Sequence, residues 1–171
     1  MIRLLEDSEP KKLKRYDTVK YAGYDWYIIY LDKNYISLLA KGADFGKRRF
    51  NDAWKNDYKT SDIRKYLNSE INYRLVMNGA KPVPAKLPDG EVDRVWLLST
   101  KEAEALPDNI RKFPDPWWLR SRASTSERAE VMDTDGKVSK RAFDGHVNNK
   151  DNAVRPVIMV KPEDLQQALE N

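Results

Sequence analysis

Trp117 and Trp118 stand side by side in Trp117-Trp118-Leu119-Arg120-Ser121, and the chain later closes on Val154-Arg155-Pro156-Val157. A strand points successive side chains to opposite faces of its sheet, so the pair puts a large aromatic on each face. One indole enters a core. The other lies on the opposite face, where a second layer covers it or a ligand finds it open. The pair constrains the fold before it says anything about activity.

The N-terminal part supplies strands. Thr18 to Tyr21 and Tyr24 to Leu31 are β-branched and aromatic, with Ala22-Gly23 between them as a tight turn. Tyr35 to Ala40 follows through Asp32-Lys33-Asn34, so residues 17–40 read as a three-stranded antiparallel meander. Its second strand is apolar at successive positions, which predicts a central strand covered on each side. Residues 41–59 lose this periodicity and read as a loop. Ile63, Tyr66, Leu67, Ile71 and Leu75 then recur at helical spacing, with Thr60 or Ser61 as cap and Asn78-Gly79 as stop. Residues 80–90, with Pro82, Pro84, Pro88 and Gly90, read as an ordered connection within one domain.

Val95 to Leu98 is a short apolar strand, and Ser99 and Glu102 have the spacing of a capping box, so a helix burying Ala103 and Leu106 follows and stops at Pro107. Asp135-Gly136, flanked by 129–133 and 137–141, is the strongest hairpin signal in the chain. The last strand is Ala153 to Val160. Pro156 has no N–H to donate, so it belongs at an edge, a bulge or a strand end. The pattern predicts an α+β protein with a flexible basic arm at 1–15, one domain over 16–161 and a short C-terminal helix at 162–171.

Composition removes several chemistries. The absence of cysteine excludes disulfides, thiolate metal sites and cysteine nucleophiles. With a single histidine, His146, nitrogen-ligated zinc sites lack the two or three imidazoles they usually recruit and a serine triad would have to run through this one residue, whose turn-rich surroundings read as an exposed loop. Asp133-Thr134-Asp135-Gly136 begins like a calcium loop but lacks the downstream bidentate Glu, so it reads as a turn. No metal or cofactor is expected. No apolar run approaches the roughly 20 residues of a membrane helix, and Met1 to Asp7 has no apolar signal region, so the expected location is cytoplasmic with no membrane partner. The net charge of +4 is mild for a nucleic-acid binder. Basic clusters at Lys11-Lys12-Leu13-Lys14-Arg15, at Lys47-Arg48-Arg49, and at Arg120, Arg122 and Arg128 keep that role open.

Ordered motifs carry a resemblance over residues 16–160: Gly23-Tyr24-Asp25-Trp26, Ser61 to Asn68, Asp93 to Ser99 with Glu102-Ala103, Trp117 to Ser121, Asp135 to Val138, and Val154-Arg155-Pro156-Val157. Together they resemble a large bacterial family of domains of unknown function. The late part is also similar to the C-type-lectin-like fold of formylglycine-generating enzymes. There, a tryptophan-rich strand and a terminal Val-Arg-Pro strand pair near the centre of a twisted, mostly antiparallel sheet flanked by helices. The resemblance implies that fold here, with an N-terminal meander and two or three flanking helices. The chain departs from the pattern at Arg122-Ala123, where a Pro-Gly type turn is common, and at Ala153, which replaces a Gly. The resembling enzymes use cysteines or several histidines, so their chemistry does not transfer.

Arg120 and Arg155 are the first candidate ligand contacts, because a guanidinium grips a carboxylate or phosphate bidentately. An Arg in a strand also bridges acids and backbone carbonyls, and that structural reading stands beside the functional one. Trp118 has the same two readings, as a stacking platform or as core. The loops Ser121–Arg128 and Ala142–Asn152 join the final strands, where binding residues concentrate, and they add Arg122, Arg128, His146 and Asn148. The leading expectation is a non-catalytic module binding a protein or a small polar or anionic ligand. The alternatives are a metal-independent hydrolase using carboxylates and Arg, favoured by a deep pocket with a raised carboxylate, or a weakly basic nucleic-acid-associated protein.

Overall fold

Ala22 and Gly23 both take positive φ, 52° and 79°, and this two-residue turn sets the hairpin of β1 (Thr18–Tyr21) and β2 (Tyr24–Leu31). In the computed structural model, which describes residues 12–170, β3 (Ile36–Ala40) pairs with β2 through a bulge between Ile28 and Tyr30. The closing strand, here β9 (Val157–Val160), lies beside β3, and β6 (Val95–Trp96) lies beside β9. The result is one antiparallel five-stranded sheet of order β1-β2-β3-β9-β6. One face carries Trp26, Ile28, Leu38, Val95 and Ile158, all withdrawn from solvent. On the other face Tyr27 and Ile29 of β2 stay half-buried, so the expected cover on both sides of that strand is complete on one side only.

The helix after the first loop runs without a break through α1 (Asp62–Tyr66), a π-helical turn (Leu67–Ile71) and α2 (Asn72–Met77). Ser61 Oγ accepts the Arg64 N–H at 3.2 Å, and Gly79 at φ 94° lets the chain leave. Ile63, Leu67, Ile71 and Leu75 form its buried stripe, while Tyr66 stays half-buried beneath the Arg48 guanidinium, 4.0 Å from the ring centre. Two of the motifs interlock across this helix. Arg64 grips the buried Asp93 carboxylate from Nε at 2.9 Å and Nη2 at 2.6 Å. Asn68 accepts the Arg94 and Val95 N–H groups at 2.9 and 3.1 Å and donates to the Val95 carbonyl at 2.9 Å. One side chain of the π turn thus caps the free edge of β6, satisfying groups a missing strand would leave bare.

Residues 80–94 form an ordered excursion closed by the short pair β4 (Ala85–Lys86) and β5 (Val92–Asp93). Ser99 and Glu102 make the expected capping box of α3 (Thr100–Glu104). Pro107 stops that segment and then precedes a further short helix, α4 (Asp108–Arg111), which the sequence reading lacked. With α5 (Pro162–Glu170), the described residues hold four helical runs, besides a 3-10 turn at Tyr58–Thr60, where two or three were expected. None is long and apolar enough to cross a membrane.

The tryptophan strand builds a sheet of its own. β7 (Trp117–Arg122) pairs antiparallel with β8 (Ala129–Met132), placing Trp117 opposite Met132 and Trp118 opposite Val131. The resemblance implied that this strand pairs with the closing strand at the centre of one sheet. Instead, among the described residues, their backbones pair only at Ala153, which accepts the Trp118 N–H at 3.1 Å and donates to the Pro116 carbonyl at 2.7 Å. Beyond Ala153, Arg155 turns into the core and Pro156 offers no N–H, so the ladder cannot continue on that side. The Pro156 carbonyl accepts from Ala40 N at 3.0 Å, which places the proline just before β9.

The Asp135-Gly136 turn forms, with Gly136 at φ 78°, but its return arm is reduced to a single bridge between Met132 and Val138. Asp133 Oδ1 accepts the Asp135 and Lys137 N–H groups at 2.9 and 3.0 Å, so this carboxylate serves the turn. Of the predicted basic arm, residues 1–11 lie outside the described residues. Residues 12–15 are not loose: Leu13 packs on the core, Lys14 N–H donates to Asp17 at 2.9 Å, and Arg15 Nε donates to the Ile29 carbonyl at 3.1 Å.

Candidate functional site

Two of the sequence candidates belong to the core. Trp117 and Trp118 are both fully buried, and their indole N–H groups donate to the Arg111 carbonyl at 3.0 Å and the Arg48 carbonyl at 2.7 Å. Trp118 also packs on Phe50 at 5.3 Å, so it has no face left for a ligand. Arg155 is 1% exposed. It donates to Ala40 O at 3.1 Å and Ile110 O at 2.8 Å, and its guanidinium lies 4.5 and 4.6 Å from the Phe113 and Trp117 ring centres. Burial pulls its pKa down to about 10, which still leaves it charged at neutral pH. Arg155 therefore ties the five-stranded sheet to α4 over an aromatic bed, and the Trp pair and the Val-Arg-Pro segment answer one another structurally.

Arg120 also turns inward. Its Nη1 donates to the Leu97 carbonyl at 2.8 Å and to Glu102 Oε1 at 2.5 Å, and Glu102 itself completes the α3 capping box. Burial alone would raise the Glu102 pKa, but the bonds from Arg120 and from the Ser99 N–H outweigh it and bring it below its usual value. Arg122, paired with Asp57 at 3.2 Å, joins Arg120 on a small cleft of about 270 Å³. The Lys47-Arg48-Arg49 cluster is likewise engaged. Lys47 pairs with Asp115 at 3.0 Å, Arg48 covers Tyr66, and Arg49 pairs with Asp52 at 3.3 Å.

The two late loops do come together. Arg128 bridges His146, the Ala129 N–H donates to the Gly145 carbonyl at 2.9 Å, and the Val147 N–H donates to the Glu127 carbonyl at 2.9 Å. Asn56 locks the early loop onto them through Thr125 O at 3.1 Å and Arg128 O at 3.0 Å. His146 is half-buried here and not the exposed loop residue its surroundings suggested: Nδ1 accepts the Asn148 N–H at 3.2 Å, and the ring meets Trp54 edge-on at 4.9 Å. His146 and Asn148 thus hold the shape of the loop, and Arg128 is the candidate that reaches the large cavity beside it.

That cavity is a groove of about 820 Å³ between β8 with its following turn and the helices α3 and α4. Arg111, Arg128, Lys137, Lys140 and Arg141 line it, against Glu104, Asp108 and Glu130. Asp108 is taken by Arg111 at 3.3 Å and Lys112 at 2.9 Å. Among the described residues no ion pair engages Arg128, Lys137, Lys140 or Arg141. Arg128 is aimed by neutral partners, Thr125 Oγ1 at 3.0 Å and Ser124 Oγ at 3.1 Å. Glu130 is pushed above its usual pKa by burial and by the charge of Glu104, partly countered by Arg128 and Lys140. Among the described residues no cluster of three potential metal ligands exists.

No protein-family model, curated protein or solved structure matches this chain. The groove itself carries the functional reading. Sequence reasoning reached it through Arg128 alone. Glu130, Lys137, Lys140 and Arg141 entered only as arms of the Asp135-Gly136 hairpin and Glu104 carried no signal, because separate segments bring them together and no spacing marks them.

Proposed function

We propose that this chain is a non-catalytic binding module on a C-type-lectin-like scaffold, and that its ligand is a small anionic molecule held in the groove beside the late loops. The observation that carries this reading is the convergence of Arg128, Lys137, Lys140 and Arg141, none of them in an ion pair among the described residues, on one concave surface. Several guanidinium and ammonium donors in a half-enclosed site select multiply charged carboxylates or phosphates by charge-assisted hydrogen bonds. The mixed α+β architecture with antiparallel sheets supports the scaffold assignment at the level of fold class, while the tryptophan strand pairs with β8 in place of the closing strand. Calorimetry with citrate and pyrophosphate at low salt tests the reading. Binding that weakens with salt and drops about tenfold in Arg128→Gln and in Lys140→Gln supports it. No binding of either anion, or binding indifferent to both substitutions, refutes it.

One observation favours a second reading, a metal-independent hydrolase: Glu130, a carboxylate of raised pKa, stands near the charge of Glu104 in the same groove. Turnover of a nitrophenyl glycoside or phosphoester that is abolished by Glu130→Gln would displace the binding reading.

A further inference from the structure

The incompletely covered face of the five-stranded sheet opens into a second cavity, of about 590 Å³. Strand register explains its floor. Ser37 of β3 lies opposite Met159 of β9, Trp96 of β6 lies opposite Val157, and the β2 bulge brings Ile29 alongside. Leu87 and Pro88 form one wall and Leu106 another. The charges sit differently from those of the first groove. Arg15 and Lys86 border the cavity, and neither is in an ion pair among the described residues, whereas the lining acid Glu102 is neutralised by Arg120. No residue lines both cavities.

We propose that this cavity binds a single-chain amphiphile with an anionic head, of which a medium-chain fatty carboxylate is the simplest example. The chain lies along Ile29, Met159 and Trp96, and the head meets Arg15 and Lys86. A predominantly apolar concave lining with few polar groups is the usual build of a small-molecule site, and here those polar groups carry one sign of free charge. Arg15 is positioned for the role, because its Nε is anchored on the Ile29 carbonyl at 3.1 Å while the terminal nitrogens make no hydrogen bond among the described residues. An uncharged apolar occupant would leave these cations without a counterpart, and a cationic amphiphile would be repelled by them.

The test is calorimetric titration of the full chain with octanoate, decanoate and dodecanoate below their micelle concentrations, with dodecylamine as the charge-reversed control. Saturable one-to-one binding is expected, tightening about threefold to fourfold per added methylene, with dodecylamine weaker by about tenfold or more. Ser37→Phe fills the floor and removes binding, and Met159→Gln weakens it by a different route should Ser37→Phe disturb folding. Arg15→Gln weakens dodecanoate by about tenfold and does not weaken dodecylamine, whose repulsion by the head site it relieves. A shift in tryptophan fluorescence on binding disappears in Trp96→Phe. Absence of saturable dodecanoate binding, equal affinity for the amine, or indifference to both floor substitutions overturns the proposal. So does a dimer of this chain, seen by sedimentation, that Ser37→Phe dissociates, because the cavity then serves a second copy. Citrate and pyrophosphate binding at the other groove is read separately, so either site can fail alone.

Discussion

Replacing Gly145 by Ala tests whether close apposition of the two late loops holds the groove together. A Cβ at Gly145 would run into the Ala129 carbonyl oxygen, which is strand backbone and cannot swing aside as a flexible side chain would. Relief requires the 142–152 loop to withdraw from β8. Withdrawal gives up the Ala129 N–H to Gly145 O bond at 2.9 Å and strains the Val147 N–H to Glu127 O bond beside it. Overpacking at such a contact costs about 1–3 kcal/mol. The backbone bond given up adds about 1 kcal/mol. The expected loss is about 2–4 kcal/mol, which lowers the midpoint by about 5–15 °C for a chain of this size. Urea and thermal denaturation followed by circular dichroism measure it, and anion binding should fall with it because Arg128 and Gly145 line the same groove. Gly136→Ala is the control. That glycine, unlike Gly145, has positive φ, at 78°, but its Cβ would meet the movable Lys112 side chain at 3.3 Å, so its cost stays at about 1 kcal/mol. A Gly145→Ala protein within about 0.5 kcal/mol of the parent, or no worse than Gly136→Ala, would refute the reasoning.

Three further substitutions separate core from site. Arg155→Met keeps the volume but strands the Ala40 and Ile110 carbonyls, so it should cost about 2–4 kcal/mol in urea melts while citrate affinity is unchanged; lost binding with full stability would return Arg155 to the site. Glu102 has a depressed pKa in the fold, so its stabilisation is complete above the unfolded carboxylate pKa and is lost as pH falls through the lower folded value. Glu102→Gln should therefore be about 1–2 kcal/mol less stable than the parent at neutral pH and converge with it in acid, and parallel stability curves would disprove the link. Trp54 is exposed and holds φ 57°, a left-handed backbone that disfavours a side chain, so Trp54→Gly should gain about 0.5–1 kcal/mol in the same melts; a loss above about 1 kcal/mol would show that the contact with His146 outweighs the strain.

The amino-acid sequence determined what neighbours along the chain decide. Ala22-Gly23 turns a hairpin, Ser61 and the Ser99–Glu102 box start helices, and the Ile63 to Leu75 stripe faces a core, because these preferences act over a few bonds or one helical turn. The Trp pair announced two opposed faces in the same way. What alternation could not say was whether the second face is covered, and burial of Trp118 against Phe50 settled that. Tertiary structure alone decided that Arg64 reads Asp93, that Asn68 caps β6, that Arg155 lies on Trp117, and that Arg128 and not Arg120 reaches the large groove. Each of these joins residues distant in sequence, and their partners are chosen by the packing of whole elements, for which no local spacing provides a signal.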